Sequence, residues 1–527
     1  MTFPFFVFPL RFVIKSAVLF MLIFLLSACD PVPHDKSPAT ASDKAAAATK
    51  PAIPVLTRAV YSDLVLNPTD IQNEEQVSFL RDLFEGLTIF DPQGNVIPGA
   101  ASHWYTEDNK IWFFKLRPEA KWSNGEPVSA EDFVLSWQAL ARSAGPLKNY
   151  LSFMHLENAL EVAEGKMPVQ ALGIHAPEPF LVQIKLDKPL SYLPKMLTHA
   201  ALLPRYRGEA TNPVANGAYG LVEQRGDLIR LEKNSFYPQQ ENIYFTRVDY
   251  RKIGTGQDLG AADLVVSPAP GTENTQLFPR LCSYFYEFNF RDALMAKSAV
   301  RKALVSMISP AAILRDEKLA MMPSNSVLPR NMQPESDTQW QASVVEQLLQ
   351  QAGISAANPL RFKLSYDQVG IHPAIANRLI QAWSQSDLIR VEAQPLSWTQ
   401  LQEKRNKGDF QVIRSGWCAD YNDASAFFHL FRSGSPDNKT GFANQELDQL
   451  SERLSNEIIE PQAVTDILRR ISDLIRRERV VLPIFQYNKA VYIKEGIAGY
   501  ELSNPTETLY SKDLYRLQNR PHSSPQH

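Results

Sequence analysis

Short runs in which apolar and polar residues nearly alternate are interleaved with longer runs whose apolar positions recur every three or four residues. Together the two periods predict a mixed α/β protein. The predicted strands are Trp112 to Leu116, Leu228 to Leu231, Phe245 to Tyr250, Cys282 to Phe290, Phe362 to Tyr366, Ile389 to Ala393, Phe410 to Ile413, Pro483 to Tyr487 and Val491 to Ile493. Helical spacing covers a segment from Val77 with Gly86 near its end, the stripe Phe133, Val134, Trp137 and Leu140, and the stretches Val300 to Ile308, Ala342 to Ala352 and His372 to Gln385. Ser129 and Asp132 have capping-box spacing at the start of the second helix. Asn124-Gly125 and Asn216-Gly217 mark turns, where glycine takes a positive φ at little steric cost. After Cys282 helices alternate with strands, which predicts a second α/β lobe with a mostly parallel sheet.

The N-terminus departs from this pattern. Cations at Arg11 and Lys15 precede an apolar run from Ala17 to Leu26, which leads into Leu26-Ser27-Ala28-Cys29. That order reads as a secretory signal ending in a lipobox, with Cys29 as the lipidated residue. An uncleaved anchor helix is the other reading, and both export the rest of the chain. Asp30, directly after the cysteine, resembles an inner-membrane retention signal of Gram-negative lipoproteins. Residues 30–54 are rich in Pro, Ala, Ser, Thr and Lys and too poor in large apolar groups to offset their ordering entropy, so they read as a tether.

The remaining body, about 470 residues, exceeds a single ordinary core and predicts two or three lobes. A formal charge of -3, from 54 basic and 57 acidic residues, supplies no field for nucleic acid. No histidine pair at helical metal spacing, Cys-x-x-Cys, Gly-x-Ser-x-Gly or phosphate loop is present, and no metal or cofactor is expected. The glycines of Gly254-Thr255-Gly256-Gln257-Asp258-Leu259-Gly260 miss the dinucleotide spacing by one residue. Scattered acids keep a hydrolase open, since catalytic pairs need not be close in sequence.

The densest functional chemistry is Arg414-Ser415-Gly416-Trp417-Cys418-Ala419-Asp420-Tyr421-Asn422, read as following a strand that ends at Ile413. A guanidinium matches a carboxylate and a carboxylate matches an ammonium, so Arg414 and Asp420 can hold the two ends of a zwitterion with Trp417 as a wall. Equally, Arg414 and Asp420 can pair locally around a core tryptophan. The Gly416-Trp417-Cys418-Ala419-Asp420-Tyr421 element resembles that of the periplasmic oligopeptide-binding proteins of ABC importers. So do Asp82-Leu83-Phe84-Glu85-Gly86-Leu87, Trp112 to Leu116, Trp122-Ser123-Asn124-Gly125, Asp132-Phe133 and the Asn216-Gly217-Ala218-Tyr219 turn. The resemblance runs from about Leu66 to Leu514.

The resemblance implies a large two-lobed periplasmic binding protein fold with an additional small domain and a hinge between lobes. Residues 55–84, 207–281 and 488–520 would form domain I, 85–206 the small domain II and 282–487 domain III. It implies that Cys282 and Cys418, the two thiols left once Cys29 is lipidated, form a disulfide rather than two buried free thiols. Asp420 matches the residue that takes the peptide's amino group. Gly416, Trp417 and Cys418 lie where backbone and wall meet the first peptide residues, and Arg414, Arg405 and His372 at positions that can meet its carboxylate. Trp398, Leu401, Glu287 and Tyr487 match other pocket positions. The expected partners are short peptides and an inner-membrane ABC permease with its ATPase subunits. The expected state is a monomer in the periplasm, lipid-anchored at the outer face of the inner membrane. Gln72 stands where the family has a glutamate, and Leu147, Arg280 and Phe285 where it has tyrosines. These departures keep open a specialised cargo (murein peptide, haem or antimicrobial peptide) or an envelope scaffold or chaperone on the same fold.

Overall fold

The structure is a computed structural model describing residues 53–208, 213–256, 259–315, 321–333 and 344–517. The signal segment, Cys29 and the tether up to residue 52 lie outside the described residues, as do Gln257 and Asp258 of the near-miss glycine loop. Among the described residues no helix is long and apolar enough to cross a membrane.

An eleven-stranded mixed sheet is built around two long antiparallel neighbours, Thr275–Phe288 and Val481–Ile493. Beyond the first lie Val412–Cys418, Leu360–Asp367 and Ile389–Leu396 in that order. Beyond the second lie Leu264–Val266, Val55–Val60, Arg247–Lys252, Leu228–Lys233 and Tyr219–Arg225. Both long strands therefore belong to both lobes. Their pairing is regular from Thr275 to Pro279, then shifts so that Ser283 meets Gln486, and Gln486 Nε2 donates to the Arg280 carbonyl at 2.8 Å inside the irregularity. The interruption falls beside the expected crossing points at 281 and 488.

Three sequence expectations are corrected. Pro483 to Tyr487 and Val491 to Ile493 are parts of one strand, because Asn488 and Lys489, which break the apolar pattern, still pair with Pro279 and Phe278. The second lobe's sheet is parallel only among Leu360–Asp367, Ile389–Leu396 and Val412–Cys418, and the last of these runs antiparallel to Thr275–Phe288. Helix Glu74–Leu83 ends at Phe84 in extended backbone, so Gly86 lies beyond it and caps nothing.

One continuous apolar core joins Leu56, Phe79, Trp112, Trp137, Leu186 and Tyr250, so residues of 85–206 share a core with those of the first lobe. Two further cores, around Leu364 with Trp383 and around Phe427 with Ile471, fill the second lobe. The signature residues serve structure. Asp82, 1% exposed, accepts from the Tyr250 hydroxyl at 2.7 Å and the Ser511 N–H at 3.1 Å, and Asp132 closes its capping box with Ser129 while accepting from Trp122 Nε1 at 3.2 Å. Hydrogen bonds of this kind hold Asp82 and Asp132 in place inside the core.

Candidate functional site

Pairing with Thr275–Phe288 carries the strand past Ile413 to Cys418, so Arg414 to Cys418 lie within a strand and not after one. Cys418 stands opposite Cys282 with 4.0 Å between Cα atoms, and the two form the expected disulfide. The Ala419 N–H still reaches the Leu281 carbonyl at 2.8 Å, and there the ladder stops. The chain beyond docks on the small-domain segment. Tyr421 stacks on Tyr192 with ring centroids 5.1 Å apart, and Asp423 forms an ion pair with Lys195. Asp420 is thus held on a short loop fixed at both ends.

Neither a hydrogen bond nor an ion pair joins the Asp420 carboxylate to any described residue. Its side chain is exposed, and neighbouring groups still displace enough water to push its pKa up, with no cation to oppose the shift. Its charge also adds to burial in raising the Tyr150 phenol, so Tyr150 is a near neighbour. Sequence reasoning missed Tyr150, whose available signal was its place three residues after Leu147 in the next short helix, Asn149–Phe153.

Arg414 does not pair with Asp420. Its Nη1 lies 3.2 Å from Asp367 Oδ2, and its guanidinium sits 4.9 Å above the Tyr284 ring and 5.8 Å from Trp398. His372 joins this group, stacked on Tyr284 at 5.5 Å with Nδ1 3.1 Å from the Tyr284 hydroxyl. Burial, with Arg414 second, pushes the His372 pKa below its usual value and keeps the ring neutral near pH 7. Tyr487 stands edge-on to Tyr284 at 6.4 Å. Arg414 precedes Asp420 by six residues, a separation of at most about 20 Å even if the chain were fully extended.

Arg405 and Glu287 meet each other. Arg405 Nε and Nη2 donate to the two Glu287 oxygens at 2.8 and 2.7 Å, and Ser415 adds a 3.1 Å hydrogen bond to the same carboxylate. Glu287 is 2% exposed and turns inward. Leu401 is fully buried against Phe410 and Ile413, which places it in the core and off the cleft surface. Trp398, by contrast, is 56% exposed. Trp417 donates from Nε1 to the Ala426 carbonyl at 2.7 Å with its ring edge-on to His429, leaving part of one face open. A Cβ at Gly416 would come within 3.0 Å of the Ser283 carbonyl oxygen, so that strand crossing favours glycine.

Of the departures, Phe285 is fully buried in the second lobe, where a lost hydroxyl changes no surface. Arg280 is different. Its Nε lies 2.7 Å from Glu507 and its Nη2 bonds Glu74, while Lys489 lies 2.6 Å from Glu74 and 3.1 Å from Glu507. Two cations and two carboxylates thus close on one another. Among the described residues no group of three His, Cys, Asp or Glu is placed to hold a metal.

Two lobes thus share one sheet, and an unpartnered carboxylate lies on the loop that follows Cys418. The profile of the bacterial extracellular solute-binding proteins, family 5, matches residues 95–439, and this chain belongs to that family. It is 46% identical to a putative binding protein of Haemophilus influenzae over 95% of this chain and 97% of that one. It is 29% identical to the periplasmic oligopeptide-binding protein OppA of Salmonella typhimurium over 85% and 90% of the two chains. The unliganded open form of the murein tripeptide-binding protein MppA superposes with a TM-score of 0.82 at 28% identity, covering 88% of this chain and 97% of that one. A second MppA structure, from Escherichia coli, gives 0.60 at the same 28% identity, with 88% and 98% covered. Of these two MppA structures, the unliganded open form superposes more closely on this chain.

Proposed function

We propose that this protein is a lipid-anchored solute-binding protein that takes short peptides by their free amino end between its two lobes and delivers them to an ABC import permease. The observation that carries this reading is Asp420, a carboxylate without a protein partner on a loop held by a disulfide on one side and by Lys195 on the other. A peptide ammonium is the group that such a carboxylate attracts. Trp417 supplies a wall for the first peptide residues, and the Arg414, His372, Trp398 and Tyr487 group gathers further back along the same strand. The family match and the OppA and MppA relatives support a peptide cargo. Closure is a hinge motion in the two long strands at the irregularity beside Arg280 and Gln486. Lipidated at Cys29, the monomer works at the outer face of the inner membrane, with the permease and its ATPase subunits as partners.

Mass spectrometry of the natively purified protein, followed by identification of whatever leaves on unfolding, tests this reading. A ladder of mixed short peptides supports it, and a single non-peptide mass contradicts it. The closed cluster of Arg280, Lys489, Glu74 and Glu507 favours a second reading, a receptor for one specialised peptide. The two cations of that cluster are spent on its two carboxylates, which leaves few free donors there for a generic peptide backbone, and a single peptide mass would decide for it.

A further inference from the structure

A cavity of about 770 Å³ opens in the second lobe, and neither Asp420 nor any residue of the Arg414 group lines it. Its volume lies within the range of small-molecule sites. It forms where helix Pro461–Glu478 gives way to strand Val481–Ile493. Arg479 ends the helix in left-handed backbone, with φ 48°, and borders the cavity together with Arg476 and Arg477. The same strand pairs with Met321–Pro323, and the loop after that pair runs to Arg330, whose N–H donates to Gln486 Oε1 at 3.0 Å. Charge here is unbalanced. Among the described residues, four arginines line the cavity against one carboxylate, Asp473. Arg476 Nη2 donates to Asp473 Oδ1 at 2.6 Å, and Arg477 Nε lies 3.5 Å from Glu478. Neither the Arg330 nor the Arg479 guanidinium has a partner among the described residues. Burial, with the Arg476 charge second, pushes the Arg479 pKa down, and no carboxylate opposes the shift.

We propose that this cavity binds an organic anion with an apolar body, its acid group on Arg479 and its body against Val305, Met322 and Pro483. A guanidinium fork matches the paired oxygens of a carboxylate or phosphate. Arg476 and Arg479 repel each other in partly desolvated surroundings, and an anion beside Arg479 relieves that repulsion. The apolar walls decide the class of anion. An inorganic anion leaves them wet, whereas an alkyl body covers them at a gain of about 25 cal/mol per Å². Such a site is separate from the one at Asp420, and either can exist without the other.

The test is calorimetry of the mature protein with octanoate and with inorganic phosphate, repeated on Arg479→Gly and on Arg477→Gln. Glycine suits the left-handed backbone at 479, so the first variant removes the guanidinium without threatening the fold. The second removes the same charge from a neighbour already beside Glu478. Octanoate is expected to bind the natural protein at one site per chain, about tenfold or more tightly than phosphate. Arg479→Gly is expected to weaken octanoate about tenfold, and Arg477→Gln by about twofold or less. Absence of saturable octanoate binding, phosphate bound as tightly as octanoate, or equal losses in the two variants overturns the proposal.

Discussion

Carrying the register of Cys282 with Cys418 two residues further would set Arg280 against Asp420, but the ladder stops at Ala419 and the two do not pair. Arg280 is drawn instead to Glu74 and Glu507 in the first lobe. Glu507→Gln removes one of those partners and lets the guanidinium turn toward Asp420. Affinity for an amine-terminated peptide is then expected to fall about tenfold, as a protein cation replaces the ligand's. Adding Arg280→Gln to the same protein is expected to restore it, and calorimetry of the two variants checks both steps.

The raised pKa of Asp420 sets a pH dependence. A carboxyl whose folded pKa lies above its unfolded value binds protons more readily in the folded state, so this group favours folding at low pH and opposes it once ionised. Stability of the ligand-free protein is expected to decline as pH rises through and just above the ordinary aspartate range. Asp420→Asn removes that component, which denaturant titrations across pH detect. Amine binding has the opposite sign, because it needs the ionised form. Affinity is expected to fall on acidification from a pH higher than an ordinary aspartate would require.

Glu287 and Arg405 form a buried pair with two hydrogen bonds. Glu287→Gln leaves the Arg405 charge without its counterion and is expected to cost about 3 to 5 kcal/mol of stability. Replacing both, as Arg405→Met with Glu287→Leu, is expected to cost much less. Chemical denaturation of the two variants measures the difference.

The disulfide closes a loop 136 residues long between directly paired strands. Reduction, or Cys282→Ala with Cys418→Ala, is expected to lower stability by about 4 to 5 kcal/mol, since the open chain regains the entropy of that loop. Denaturation with and without reductant reads this directly. An unchanged midpoint would show that the ladder alone fixes the segment bearing Asp420.

The regular elements were legible where local chemistry agreed with burial. Ser129 and Asp132 form the capping box that their spacing predicts, and Ile111–Leu116 and Leu360–Asp367 form strands over the short runs expected at Trp112 to Leu116 and Phe362 to Tyr366. Extent was less legible, because it depends on partners far away in sequence. Val412–Cys418 reaches Cys418 only because Thr275–Phe288 lies beside it, and Val481–Ile493 runs through Asn488 and Lys489 for the same reason. The resemblance supplied the disulfide of Cys282 with Cys418. Pairing was hidden. Nothing local in the sequence shows that Asp367 holds Arg414, that Glu287 holds Arg405, or that Leu401 turns into the core.

The most direct test of the account is calorimetry of the natural protein and Asp420→Asn with one peptide in two forms, with a free amino end and N-acetylated. The natural protein is expected to lose about 2 to 5 kcal/mol of binding on acetylation, and Asp420→Asn to bind both forms weakly and alike. If Asp420→Asn discriminates between the two forms as strongly as the natural protein does, Asp420 is not the partner of the amino group.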